Sequence, residues 1–162
     1  MAGRRTFFSF HYERDVWRAT IVRNAGVVDA KAAAGWSDAS IWEEAEKKGD
    51  EELKRLIKKG LENTAVTAVL IGAETSTRRW VKYEIEQSLD RGNGLVGVYI
   101  HMLENQDGKT DSKGAKPKLL EDNGVPCYNW DRDNFGAWVE KAAVRAGHRC
   151  LKHQQTNCST CG

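Results

Sequence analysis

Three stretches of the chain are apolar at nearly every position: RTFFSFHY (5–12), AVTAVLIG (65–72) and LVGVYIH (95–101). Short runs that do not alternate with polar residues have the pattern of strands buried on both faces, as in a parallel sheet. VPCYNW (125–130) predicts a short last strand. Between these runs the apolar residues fall at helical spacing. In RDVWRATIVRNAG (14–26) the spaced positions are Trp17, Thr20, Ile21 and Asn24, with Gly26 as a stop. DEELKRLIKKGLENT (50–64) carries a stripe of Leu53, Leu56, Ile57 and Leu61, acids in the first turn and lysines near the end, as a helix dipole favours. TSTRRWVKYEIEQSLD (75–90) predicts the next helix, and NFGAWVEKAAVRAG (134–147) closes the order with Phe135, Trp138, Val139 and Ala142 on one face.

Residues 26–49 predict a short second strand and a long connecting loop, without a clear place for the strand. ENQDGKTDSKGAKPKLLEDNG (104–124) is too polar for a core, so residues 102–126 are expected to form a surface loop insertion with at most one helical turn. There is no internal repeat. Buried strands alternating with amphipathic helices predict an α/β sandwich around a parallel sheet with right-handed crossovers.

Composition narrows the picture. A chain of 162 residues with 40% hydrophobic and 30% charged residues suits one globular domain, taken as 1–147, followed by a polar tail at 148–162. A net charge of +2 gives no electrostatic case for a nucleic-acid or membrane partner. With no apolar run of membrane-spanning length and no signal-peptide pattern, the expected location is cytoplasmic. Six tryptophans favour an aromatic-lined pocket or interface. The cysteines, Cys127, Cys150, Cys158 and Cys161, sit too late in the chain to staple the whole fold. His148, Cys150, His153 and the Cys158-x-x-Cys161 pair make half of a zinc pattern without a second half of standard spacing, so no metal site is expected.

One helix residue stands out. Val81, Ile85, Ser88 and Leu89 form the core stripe of the 75–90 helix, and Trp80, Glu84 and Gln87 lie along its edge. The neighbours of Glu84 three and four residues away are Trp80, Val81, Gln87 and Ser88, and none is cationic. An ordinary solvated glutamate remains one explanation; a functional carboxylate is the other. Position favours the second, because open α/β sheets bind ligands beyond the carboxyl ends of their strands. Ser9, His11 and Tyr12 follow the first strand there, and Gly72 and Thr75 follow the 65–71 strand.

FFSFHYERD resembles the first-strand box of TIR (Toll/interleukin-receptor) domains, and LKRLIKKGLENTAVTAVLIGAETSTRRWVKYEI resembles their run of helix, apolar strand and Ser/Thr-rich turn before Trp-x-x-x-Glu. FFSFHY, DASIWEEA, RRWVKYEI and GNGLVGVYIH together are similar to the TIR-like proteins of bacterial Thoeris anti-phage systems, the ThsB type. The resemblance covers about the first two-thirds of the chain and thins beyond His101.

That resemblance implies a flavodoxin-like three-layer sandwich with a central, mostly parallel five-stranded sheet. It implies NAD as a substrate with no further cofactor, and cleavage of the nicotinamide–ribose bond. The product would be a cyclic or modified ADP-ribose signal that activates a paired effector after infection, with a phage-derived trigger and homo-oligomerisation as further expectations. The family's catalytic glutamate falls on Glu84 and its tryptophan on Trp80. Ser9, Phe10 and His11 match the first-strand box that lines the nucleotide pocket, where plant-type TIR domains resemble this motif with arginine at the position of His11. Asp38 and Trp42 fall in the family's flexible loop between the second strand and second helix, and Gly72 completes the expected substrate-binding set. Arg78 and Arg79 could meet a diphosphate but stay outside that set.

Two other classes stay open on sequence. One is a non-catalytic TIR-like scaffold acting by self-association. The other is a response-regulator-like phosphate binder, disfavoured because no acidic cluster follows the first strand and no glycine-rich phosphate loop is present.

Overall fold

Five parallel strands form one sheet in the order β2-β1-β3-β4-β5. They are β1 (Arg5–Ser9), β2 (Asp29–Lys31), β3 (Val66–Ile71), β4 (Gly94–Tyr99) and β5 (Cys127–Asn129). The helices are α1 (Tyr12–Asn24), α2 (Ala39–Lys48), α3 (Asp50–Leu61), α4 (Arg79–Arg91), α5 (Lys118–Asp122) and α6 (Arg132–Arg145). The computed structural model describes residues 3–31 and 39–147. The expectations for Asp38 and for the 148–162 tail, with its His148, Cys150, His153, Cys158 and Cys161, therefore lie outside the described residues.

The order is that of flavodoxin-like folds, and it reverses between β1 and β3. Strand side chains alternate between faces. Phe8, Ala68 and Val98 accordingly join α1 and α6 in one core with Val22, Phe135 and Val139. Phe7 packs on the other face against Leu53, Ile57 and Leu61 of α3, and Val69 and Ile71 pack there against Val81 and Ile85 of α4. The same alternation puts Ser9 and Thr67 under α4, where they meet polar partners. Ser9 bonds to Glu84, Thr67 to Ser88, and the Asn93 amide donates to both Thr64 and Thr67.

Three sequence expectations need correction. Residues 39–48 are helical, so Trp42 sits on α2 rather than on a loop, 7% exposed and stacked on Tyr12 with ring centroids 5.7 Å apart. The face of α1 is also different. Trp17 is 51% exposed and Asn24 is exposed, whereas Asp15, Arg18, Ala19 and Val22 are buried. A buried ion pair, which apolar spacing does not register, sets that face. Finally, the Glu84 helix begins at Arg79, since Thr75–Thr77 form a 3-10 turn in which Thr75 accepts a hydrogen bond from the Gly72 amide.

The 102–126 segment is tied down more firmly than a polar loop suggests. Arg18, 2% exposed, donates to the Leu103 and Lys109 carbonyls and to Asp15, while Arg14 pairs with Asp111. Leu120 on α5 is fully buried against Val69 and Ile85. No helix among the described residues is long and apolar enough to cross a membrane.

The Arg18→Ala variant should lose about 3–5 kcal/mol of stability, because it strands the buried Asp15 carboxylate and two loop carbonyls. Urea denaturation measures this, and a loss below about 1 kcal/mol would contradict the clamp.

Candidate functional site

The junction between β1 and α1, together with α2, α3 and the first turn of α4, encloses a cleft of about 290 Å³. That is near the lower end for small-molecule pockets. Phe10, His11 and Tyr12 come from the β1–α1 junction, Trp42 and Glu46 from α2, and Asp50 and Leu53 from α3. Arg78, Arg79, Trp80 and Val81 close it from α4. A second hollow of about 350 Å³ shares Tyr12, Glu13, Trp42 and Glu46 and extends the groove past Val16.

Aromatic stacking builds the wall. Phe10 and Tyr12 stack at 6.1 Å and 29°, and Tyr12 passes the stack on to Trp42 at 26°. The Arg79 guanidinium lies 4.5 Å from the Trp80 ring and pairs with Asp50, so α3 and α4 are joined across the mouth. The side chain of Arg78, exposed at the start of α4, has no hydrogen-bond or ion-pair partner among the described residues.

His11 faces this space with both ring nitrogens buried and without hydrogen-bond partners among the described residues. Burial, then the positive charge of Arg78, lowers its pKa. It is therefore neutral at pH 7 and offers a ligand one donor and one acceptor.

Glu84 is not among the residues that line the cleft. It is 4% exposed, one helical turn beyond Trp80, and the Ser9 hydroxyl donates to its Oε1 at 2.8 Å. Periodicity put Glu84 only at the edge of the core stripe; packing buries it, and β1 delivers Ser9 to it from 75 residues away. Burial pushes its pKa up to about 8, and the Ser9 hydrogen bond only partly opposes that.

The sequence-derived set thus divides. Phe10, His11, Trp42 and Trp80 line the cleft. Ser9 and Glu84 form a buried pair that does not line it. Gly72 lines no part of it. A side chain at Gly72 would collide with the Asp15 carboxylate, so this glycine makes room for the buried ion pair. Tyr12 belongs with the cleft and was visible next to the first-strand box. Glu46, Asp50 and Leu53 carry no signal in sequence, because only helix packing brings them there.

The sign of the Glu84 pKa shift makes a stability prediction. Its native pKa lies above the usual value of 4.5, so the folded form keeps a proton that the unfolded chain releases. The burial penalty is absent below about pH 4.5, grows as pH rises, and levels off above about pH 8. Relative to the parent, Glu84→Gln should gain stability steadily across that window. Urea midpoints measured at several pH values test this, and a difference that does not vary with pH would contradict the buried-acid assignment.

Two comparisons bear on family. A family profile described as Thoeris protein ThsB, TIR-like domain, matches residues 7–105. A Bacillus cereus (strain MSX-D12) protein named as a candidate cyclic ADP-D-ribose synthase, ThsB1, is 48% identical over 117 residues. That match covers 71% of this chain and 61% of the relative's length. The matched span runs from β1 through the end of β4 and contains Ser9, His11, Trp42, Trp80 and Glu84. With four strands of the flavodoxin-like sheet and the buried Trp-x-x-x-Glu glutamate inside that span, the chain belongs to the ThsB TIR-like domain family of Thoeris defence.

Proposed function

We propose that this chain consumes NAD, breaking its nicotinamide–ribose bond and releasing a cyclic ADP-ribose-type signal in anti-phage defence. The observation that carries the reading is the secluded Glu84 carboxyl one helical turn along α4 from a cleft of aromatic and cationic side chains at the sheet's switch point. The similarity to a relative named for cyclic ADP-D-ribose synthesis supports the same chemistry.

The residues have separate tasks. Trp42, Tyr12 and Trp80 supply flat surfaces for the bases. Arg78 meets the diphosphate, and neutral His11 hydrogen-bonds a ribose or phosphate oxygen. When the C1′–N bond breaks, its electron pair leaves with nicotinamide and positive charge builds on the ribose. An ionised Glu84 beside that ring stabilises the charge, and the low-dielectric surroundings strengthen the effect. A nucleophile on the same dinucleotide, held close with water excluded, then closes the ring.

In this reading the chain works in the cytoplasm, where its substrate is, after a phage-derived trigger and with self-association. The diffusible product then activates a paired effector. Asp38 would approach the substrate from the segment before α2, and neither metal nor additional cofactor takes part.

The deciding experiment incubates the purified chain with NAD, alone and with lysate from phage-infected cells, and follows nicotinamide and ADP-ribose species by mass spectrometry. The expected result is release of nicotinamide with a cyclic product. No turnover in either condition, together with clear self-association, would favour a scaffold instead. Glu84→Gln should lower turnover at least about 100-fold with the fold intact. Arg78→Ala should raise KM for NAD roughly 10-fold while leaving kcat within a few-fold, because it removes a charge-assisted contact outside the reacting bond.

A further inference from the structure

Ser9 and Glu84 are 0% and 4% exposed, and neither lines the cleft. The residues one turn earlier on α4, Trp80 and Val81, do line it. Ser9 is the hydrogen-bond donor to the Glu84 side chain among the described residues. A carboxyl that must touch a ribose is thus held at one remove from where the ribose would lie.

We propose that Ser9 is a positioning residue whose hydroxyl latches Glu84 in this withdrawn position, until a ribose hydroxyl of the bound dinucleotide replaces it and draws the carboxyl to the sugar. The proposal rests on the NAD-consuming reading above. The exchange is one hydrogen bond for another, so no charge is left without a partner in a dry site. It also has a direction. Ser9 offers a single O–H to one carboxyl oxygen, whereas a ribose diol offers two donors to two oxygens.

The latch also bears on the protonation of Glu84, which burial dominates. The charged groups around α4 are engaged outward: Arg79 with Asp50, Lys54 over the Tyr83 ring, and Lys118 with Asp122. Arg78 at the N-cap of α4 and Lys82, Asp90 and Arg91 on it are exposed, and Glu86 is half-buried. Burial raises the pKa of Glu84, and the Ser9 hydrogen bond alone opposes it.

Carbon-13 NMR titration of the Glu84 carboxyl in the full chain, without NAD, tests the latch directly. The parent midpoint should lie near 8, and Ser9→Ala should raise it by about 0.5–1 pH unit. Ser9→Thr, which keeps a hydroxyl, should restore it. Adding ADP-ribose as a probe should shift the Glu84 resonance in the parent and in Ser9→Thr. An unchanged midpoint in Ser9→Ala overturns the latch. A moved midpoint with no response to ADP-ribose overturns the exchange. Nicotinamide release against pH is a separate readout, and its rising limb should move upward in Ser9→Ala in step with the NMR midpoint. A moved midpoint together with no nicotinamide release from the triggered parent would defeat the NAD reading while leaving the latch in place.

Discussion

Both faces of an all-parallel sheet must be covered by helices, and here one covering helix brings a carboxyl with it. The core stripe of α4 seats Val81 and Ile85 on β3, and the turn between them places Glu84 over the end of β1. Removing a carboxyl from water is costly unless it is neutralised or hydrogen-bonded. Glu84 meets that constraint by both routes, through a proton held to about pH 8 and a hydrogen bond from Ser9. The polar row beneath α4 follows the same rule: Ser9 bonds to Glu84, Thr67 to Ser88, and Asn93, just past the helix, donates to Thr67.

Electrostatics organise the opposite face differently. Asp15 and Arg18 are both buried, and burial raises the pKa of Asp15 even though Arg18 is bonded to it. Such a pair contributes little by itself, but breaking it is expensive, so it fixes geometry. Its reach explains why a lysine- and glycine-rich segment lies firmly against the sheet's carboxyl end. Arg18 holds two of its carbonyls, and Gly72 leaves space for the carboxylate beside β3. The switch point between β1 and β3 is thereby flanked by two buried acids. Asp15 is paired with a cation, and Glu84 is bonded only to a hydroxyl.

Four of the five strands, the stripe of α3 and the face of α6 were legible because strand and helix periods are properties of the backbone itself, whereas β2, only three residues long, was expected but not placed. His11 was legible as a neighbour of the cleft because a strand end is a local feature, whereas Phe10 and Trp80 were marked by the resemblance to the TIR first-strand box and Trp-x-x-x-Glu motif. Trp42 was found as a residue but misplaced on a loop, because EEAEKK lacks the apolar spacing of a helix on its own. The face of α1 was misread for a related reason. Hydrophobic spacing weighs Trp17 as core, while packing buries Asp15 and Arg18 instead.

By itself the sequence determined the alternation of buried strands and covering helices, and it put a glutamate without a local cation one turn after a tryptophan. Periodicity and spacing along one element suffice for that. Tertiary structure alone decided that Glu84 would be dry, that Ser9 would be its donor, that Gly72 would shelter an ion pair, and that α2 and α3 would complete the cleft. Solvent exclusion is a property of what packs on a residue, and here the packing groups come from elements tens of residues away in the chain.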